Sequence, residues 1–132
     1  MPRRTLVLLV EDDEIIREFV QTSLEDAGMG VVMADHGGDA IRLLDCPDDP
    51  VQVLVTDVRL GEGPDGWAVA RYARKLRPDL AVVYFSGQSA ADWPSEGVPK
   101  SAFLQKPFGP AQIIAAVQET LPSSLGSPSP NS

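Results

Sequence analysis

The chain has 132 residues, 43% of them hydrophobic and 23% charged. That is one domain's worth of core, and it excludes both a two-domain enzyme and a disordered or fibrous chain. Nineteen acidic residues against eleven basic ones leave a formal net charge of −8, so direct binding to nucleic acid or to anionic membranes is not expected, whereas cations and basic protein surfaces are.

In chain order, Thr5 to Val10 is a short continuous apolar run, as expected of a strand buried on both faces. Glu14 to Ala27 follows as a helix, with Ile16, Phe19, Val20, Leu24 and Ala27 at helical spacing, Asp13 as N-cap and Gly28 as stop. Gly30 to Ala34 reads as a second strand. A short helix over Asp39 to Leu44 is closed by Pro47. Val51 to Thr56 is a third apolar run and ends at Asp57, followed by a loop over Gly61 to Gly66. A helix from Gly66 to Leu76 turns Ala70, Ala73 and Leu76 inward. Leu80 to Phe85 is a fourth strand, and between Ala90 and Val98 the residues Pro94 and Gly97 leave room for about one or two helical turns. Ala102 to Gln105 is a fifth strand. Pro110 opens a last helix with Ile113, Ile114, Val117 and Leu121 on one face. Residues 1–121 form the domain, and 122–132 read as a disordered tail or the start of a linker.

A single cysteine, Cys46, cannot close an internal disulfide. The run Leu6 to Val10 is stopped by Glu11-Asp12-Asp13-Glu14 before it could serve as a signal peptide, and no run is long enough to span a bilayer. A reducing cytoplasm is the expected compartment. Trp67 and Trp93 read as packing residues, and the lone His36 is given no role.

Five β-α repeats imply a parallel sheet with helices on both faces, with ligands bound at the carboxyl ends of its strands. Those ends carry Glu11-Asp12, Asp57, Ser86 and Lys106-Pro107. If the first and third strands are neighbours, three carboxylates converge, and a divalent cation relieves their repulsion. Oxygen-only ligands point to Mg²⁺, Mn²⁺ or Ca²⁺, and their small number suits Mg²⁺. The Ser86 hydroxyl and the Lys106 ammonium would hold an anion beside the metal. A carboxylate can attack phosphorus to give an acyl phosphate, so phosphoryl transfer onto a carboxylate, or phosphate binding near one, fits the set. Each feature alone has a plainer reading as a cap, turn or solvated surface; the weight lies in the joint pattern.

From about Thr5 to Leu121 the chain resembles a response regulator receiver domain. The resemblance rests on Leu-Val-Glu-Asp-Asp-Glu at the first strand end, Val-Leu-Val-Thr-Asp-Val-Arg-Leu around Asp57, Asp65-Gly66, Tyr-Phe-Ser-Gly at Ser86 and Phe-Leu-Gln-Lys-Pro-Phe at Lys106. It implies a doubly wound α/β fold of the flavodoxin-like kind, with five parallel strands in the order 2-1-3-4-5. It implies Asp57 as phosphoacceptor, Mg²⁺ bound by Asp12, by Asp57, by Glu11 through water and by the Arg59 backbone carbonyl, and Ser86 and Lys106 on phosphoryl oxygens. It also implies a cis peptide at Lys106-Pro107 and Phe103 as switch aromatic, moving the face of helix four, strand five and helix five. The donor would be a sensor histidine kinase or a histidine phosphotransfer protein, and the output a downstream effector protein or onward phosphate transfer. A homodimer through the same face is compatible with this reading. No turnover of a small molecule is expected beyond self-phosphorylation and autodephosphorylation. Arg59 and Gln88, two positions beyond Asp57 and Ser86, are placed to tune the phosphoryl lifetime.

The chain departs from the family pattern in three places. Gly61 stands where a proline is common, in a loop one residue longer. The fourth helix region is slightly short, and the switch aromatic is Phe. The altered loop also motivates a phosphorylation-independent binding module as an alternative. A Mg²⁺-dependent aspartyl-phosphate phosphatase is disfavoured, because Arg59 occupies the place of its usual acid. The composition, rich in Ala, Arg and Pro and poor in Lys, fits a high-GC bacterial gene. The chain reads as a stand-alone receiver or as one cut from a longer protein.

Overall fold

A computed structural model describes residues 4–46, 50–88 and 90–122; Pro47 and the tail beyond position 122 lie outside them. Five strands, β1 (Leu6–Val10), β2 (Gly30–Ala34), β3 (Val53–Asp57), β4 (Ala81–Ser86) and β5 (Ala102–Gln105), alternate with helices α1 (Glu14–Asp26), α2 (Gly37–Leu44), α3 (Gly66–Leu76), α4 (Trp93–Glu96) and α5 (Pro110–Thr120). All neighbouring strands run parallel, and the sheet order is β2-β1-β3-β4-β5.

Side chains alternate across the three central strands, and both sets are buried. Val7, Leu9, Val53, Val55, Val83 and Phe85 meet Val20 and Leu24 of α1 and Ile113 and Val117 of α5. Leu8, Val10, Leu54, Val82 and Tyr84 meet Ala40 of α2 and Trp67, Ala70 and Ala73 of α3 on the other face. A sheet covered on both sides explains why these strands read as unbroken apolar runs. Each buried Val or Leu contributes about 1.5–3 kcal/mol, so the central strands form a stiff base for their carboxyl-terminal ends.

Several boundaries differ from the sequence reading. The third and fourth strands end one residue later, at Asp57 and Ser86, because their parallel pairing continues through Asp57 opposite Phe85 and Ser86 opposite Gln105. Helix α2 begins at Gly37 rather than Asp39, since the His36 imidazole caps it by accepting from the Asp39 N–H at 3.4 Å; His36 therefore has a structural role. Ala27 is exposed, as the capping residue of α1 just before Gly28 turns the chain with φ +92°.

Two further positions expected inside are not. Phe19 is 37% exposed, with its ring on Phe108 at the α1–α5 margin. Leu76 is 46% exposed; Arg77, not Leu76, turns inward at the end of α3 and donates to the Val51 carbonyl. The fourth helix region is a 3-10 turn, Ala90–Asp92, running into the four residues of α4. Among the described residues, no helix is long and apolar enough to cross a membrane.

Candidate functional site

The register sets the site. Val10 pairs with Thr56, so Glu11 and Asp57 leave adjacent strands side by side. Asp13 then starts α1 by accepting from the N–H groups of Ile15 and Ile16, which fixes the turn that carries Asp12. Glu11, Asp12 and Asp57 each offer a carboxylate oxygen within 4.8 Å of the others. From β5, Lys106 brings its Nζ to 3.2 Å from Asp57 Oδ2 and 3.5 Å from Glu11 Oε1. Four of the residues singled out in the sequence thus meet at one edge of the sheet.

One ammonium faces three carboxylates, and two of these are buried. Glu11 is fully buried, and Asp57 is 6% exposed. Glu11 Oε2 accepts from the Asp13 N–H at 2.9 Å, while the buried Oε1 has no hydrogen-bond partner. Burial, with added repulsion from Asp57 and a smaller rise from hydrogen bonding with the Asp12 side chain, pushes the Glu11 carboxyl up to about 7, against the lowering effect of the Asp13 N–H and Lys106. A buried carboxylate oxygen whose ammonium partner stands at 3.5 Å and is shared with Asp57 is under-compensated, and a closer cation or a proton would relieve the cost. The donor set is all oxygen, partly buried and open toward Asp12, which fits a hard divalent cation.

The backbone behind the phosphoacceptor candidate leaves no slack. A Cβ on Gly66 would lie 2.2 Å from the Asp57 carbonyl oxygen, so only glycine lets the start of α3 approach this strand end. Gly66 N–H donates to the Val58 carbonyl at 2.7 Å, and Asp65 caps the helix through the Ala68 N–H at 2.9 Å. The Asp-Gly pair is thus a cap followed by a close approach. In the longer loop, Gly61 and Gly63 adopt φ +75° and +89°, where a side chain would be strained.

Ser86 is 2% exposed at the end of β4, and its Oγ accepts from the Gln88 N–H at 3.1 Å. The Lys106-Pro107 peptide is cis. Arg59 and Gln88 are exposed, and the Arg59 N–H reaches Asp57 Oδ1 at 3.4 Å. Phe103 is not with the carboxylates. Its ring lies between Trp67, at 6.4 Å, and Trp93, at 6.0 Å between centroids. Both tryptophans pack, as the sequence leads one to expect, and the fold brings them together around Phe103.

Residues 7–118 match the response regulator receiver domain family. The chain belongs to that family. It is 33% identical over 117 residues to the response regulator receiver protein CpdR of Brucella abortus, covering 87% of this chain and 95% of that protein. It is 34% identical over 118 residues to the sensor kinase CckA of the same organism, where 87% of this chain matches only 12% of the kinase. The crystal structure of a response regulator receiver protein from Sinorhizobium medicae superposes with a TM-score of 0.85 at 40% identity, covering 89% of this chain and 94% of that one. As a receiver domain, the chain is a module of two-component signalling.

Proposed function

We propose that this receiver is a phosphorylation-dependent switch in the bacterial cytoplasm, with Asp57 as the phosphoacceptor. The observation that carries the reading is the convergence of Glu11, Asp12, Asp57 and Lys106, with a buried Glu11 oxygen that makes no hydrogen bond and faces the Lys106 ammonium at 3.5 Å. Asp12 and Asp57, the Arg59 carbonyl, and Glu11 through water would hold Mg²⁺ (Mn²⁺ as substitute). The ion supplies charge neutralisation for phosphoryl oxygens when bound.

The reaction is in-line transfer. An Asp57 carboxylate oxygen attacks the phosphorus of a phosphohistidine, the P–N bond breaks, and the imidazole leaves as the acyl phosphate forms. Lys106, now paired with Asp57, moves onto a phosphoryl oxygen, and the Ser86 hydroxyl donates to another. The stiff β3 end and the Gly66 contact hold Asp57 in place, which is positioning rather than covalent chemistry.

The donor is a sensor histidine kinase or a histidine phosphotransfer protein. Beside Lys106, the residues Ile15, Ile16, Phe19, Pro107 and Phe108 line an open groove of about 420 Å³, and Ile15 is 81% exposed. That is an apolar seat within reach of the acidic site. Output passes through Phe103 and the α4–β5–α5 face to an effector protein, by onward transfer or by pairing of two copies. No small molecule is turned over. Arg59 and Gln88 tune the lifetime of the phosphoryl group by screening the attacking water, so Arg59→Ala shortens the half-life of the phosphoprotein; an unchanged half-life ends that role.

The test is intact mass after incubation with acetyl phosphate and Mg²⁺. Wild type gains one phosphoryl group, and the gain is absent in Asp57→Asn and in EDTA. Equal gain in Asp57→Asn overturns the reading.

A further inference from the structure

The side chain of Arg17 is 20% exposed, and it does not touch the carboxylate cluster. It touches the backbone that launches it. Arg17 Nη1 donates to the Glu11 carbonyl at 3.1 Å and to Asp35 Oδ1 at 2.7 Å. The Glu11 N–H in turn donates to the Ala34 carbonyl at 3.1 Å. The residue is therefore held on both sides, from β2 through Ala34 and from α1 through Arg17.

The peptide from Glu11 to Asp12 is planar, so fixing its carbonyl also fixes the direction in which the Asp12 chain departs. One guanidinium thereby sets two of the three carboxylates. The exposed Asp35, whose side chain is 68% accessible, completes the arrangement. It draws the guanidinium toward the end of β2 and offsets a positive charge that would otherwise oppose a cation nearby. Nothing in the phosphoryl chemistry above uses either residue.

We propose that Arg17, braced by Asp35, is a positioning residue for the divalent cation site, acting through the Glu11-Asp12 peptide. The inference rests on the metal reading of that site. It opposes the simplest charge argument: deleting a cation next to a cation site should tighten metal binding, whereas deleting a positioning group should weaken it. Groups that orient metal ligands from behind typically change metal affinity about 10–100-fold.

The experiment is Mn²⁺ titration of the full chain, followed by the electron paramagnetic resonance signal of the free ion. It compares wild type with Arg17→Ala and with Arg17→Met, which keeps the apolar stem and loses both donors. Thermal unfolding in EDTA runs alongside. Positioning predicts that both variants unfold cooperatively without metal and bind Mn²⁺ at least about tenfold more weakly. Affinity that is unchanged or tighter in either folded variant overturns the proposal. Wild type that fails to bind Mn²⁺ overturns the metal reading as well, and so separates the two failures.

Discussion

The two halves of the strand-end edge are built differently. On the β1–β3 side, the Glu11 N–H and carbonyl and the Asp13 and Val58 N–H groups are all held by hydrogen bonds, and Gly66 closes on the Asp57 carbonyl with no room for a methyl group. On the β4–β5 side, the described residues between Gly87 and Ser101 carry a 3-10 turn and the four residues of α4. That segment is tied down at its far end. The Val98 N–H donates to the buried Tyr84 hydroxyl at 3.0 Å, Trp93 Nε1 to Ser101 Oγ at 3.0 Å, and Arg74 to the Pro99 carbonyl at 2.6 Å. The first half is made to hold charge without moving. The second is a strap with a few anchors, the kind of element a local charge can bias between two arrangements.

The sharpest way to break this contrast is on the rigid side. Gly66→Ala pushes a methyl group into the Asp57 backbone and should cost roughly 1–3 kcal/mol, lowering the melting temperature and displacing Asp57, the proposed phosphoacceptor. A variant that melts like wild type and is phosphorylated normally would show that the close approach is dispensable.

Next comes pH. The Glu11 carboxyl is raised in the folded protein from 4.5 to about 7, so the metal-free fold binds this proton more tightly than the unfolded chain does. Its contribution is fully present below pH 4.5 and is lost as pH rises through 7, by an amount on the order of 3 kcal/mol. Glu11→Gln should remove this loss and melt higher than wild type at pH 8 in EDTA. A stability of metal-free wild type that rises steadily from pH 5 to 8 would contradict the assignment.

The smallest effect belongs to the strap. Tyr84→Phe leaves the Val98 N–H unpaired and should cost about 1 kcal/mol. Hydrogen exchange should quicken around Val98 while that of β1 and β3 is unchanged. Faster exchange spread evenly over the sheet would erase the distinction between the halves.

Much of this was legible in the amino-acid order. The apolar runs of β1, β3 and β4 announce a doubly covered parallel sheet, and polar residues placed right after them mark the site before any coordinates. Asp13 and Pro110 were readable as helix starts because caps and first-turn prolines act locally. What was not readable depends on distant partners. Phe19 and Leu76 carry the helical period but sit at margins where Phe108 or Arg77 decides who faces in. The cap at His36 and the clamp at Arg17 were hidden for the same reason: a histidine in a loop and an arginine on a helix look like solvent-facing residues until the strand order puts Asp35 beside α1. The tightness at Gly66 is likewise a contact across sequence, of which only the Asp-Gly pair gave a sign.

The central claim is that one particular carboxylate takes the phosphoryl group. Acyl phosphates are reduced by borohydride to the alcohol, which converts a phosphorylated aspartate to homoserine. After treatment with acetyl phosphate and Mg²⁺, borohydride reduction and peptide sequencing by mass spectrometry should place homoserine at position 57 and at no other aspartate. Homoserine at position 12 or 13, or none at all in protein that has gained phosphoryl mass, would contradict the account.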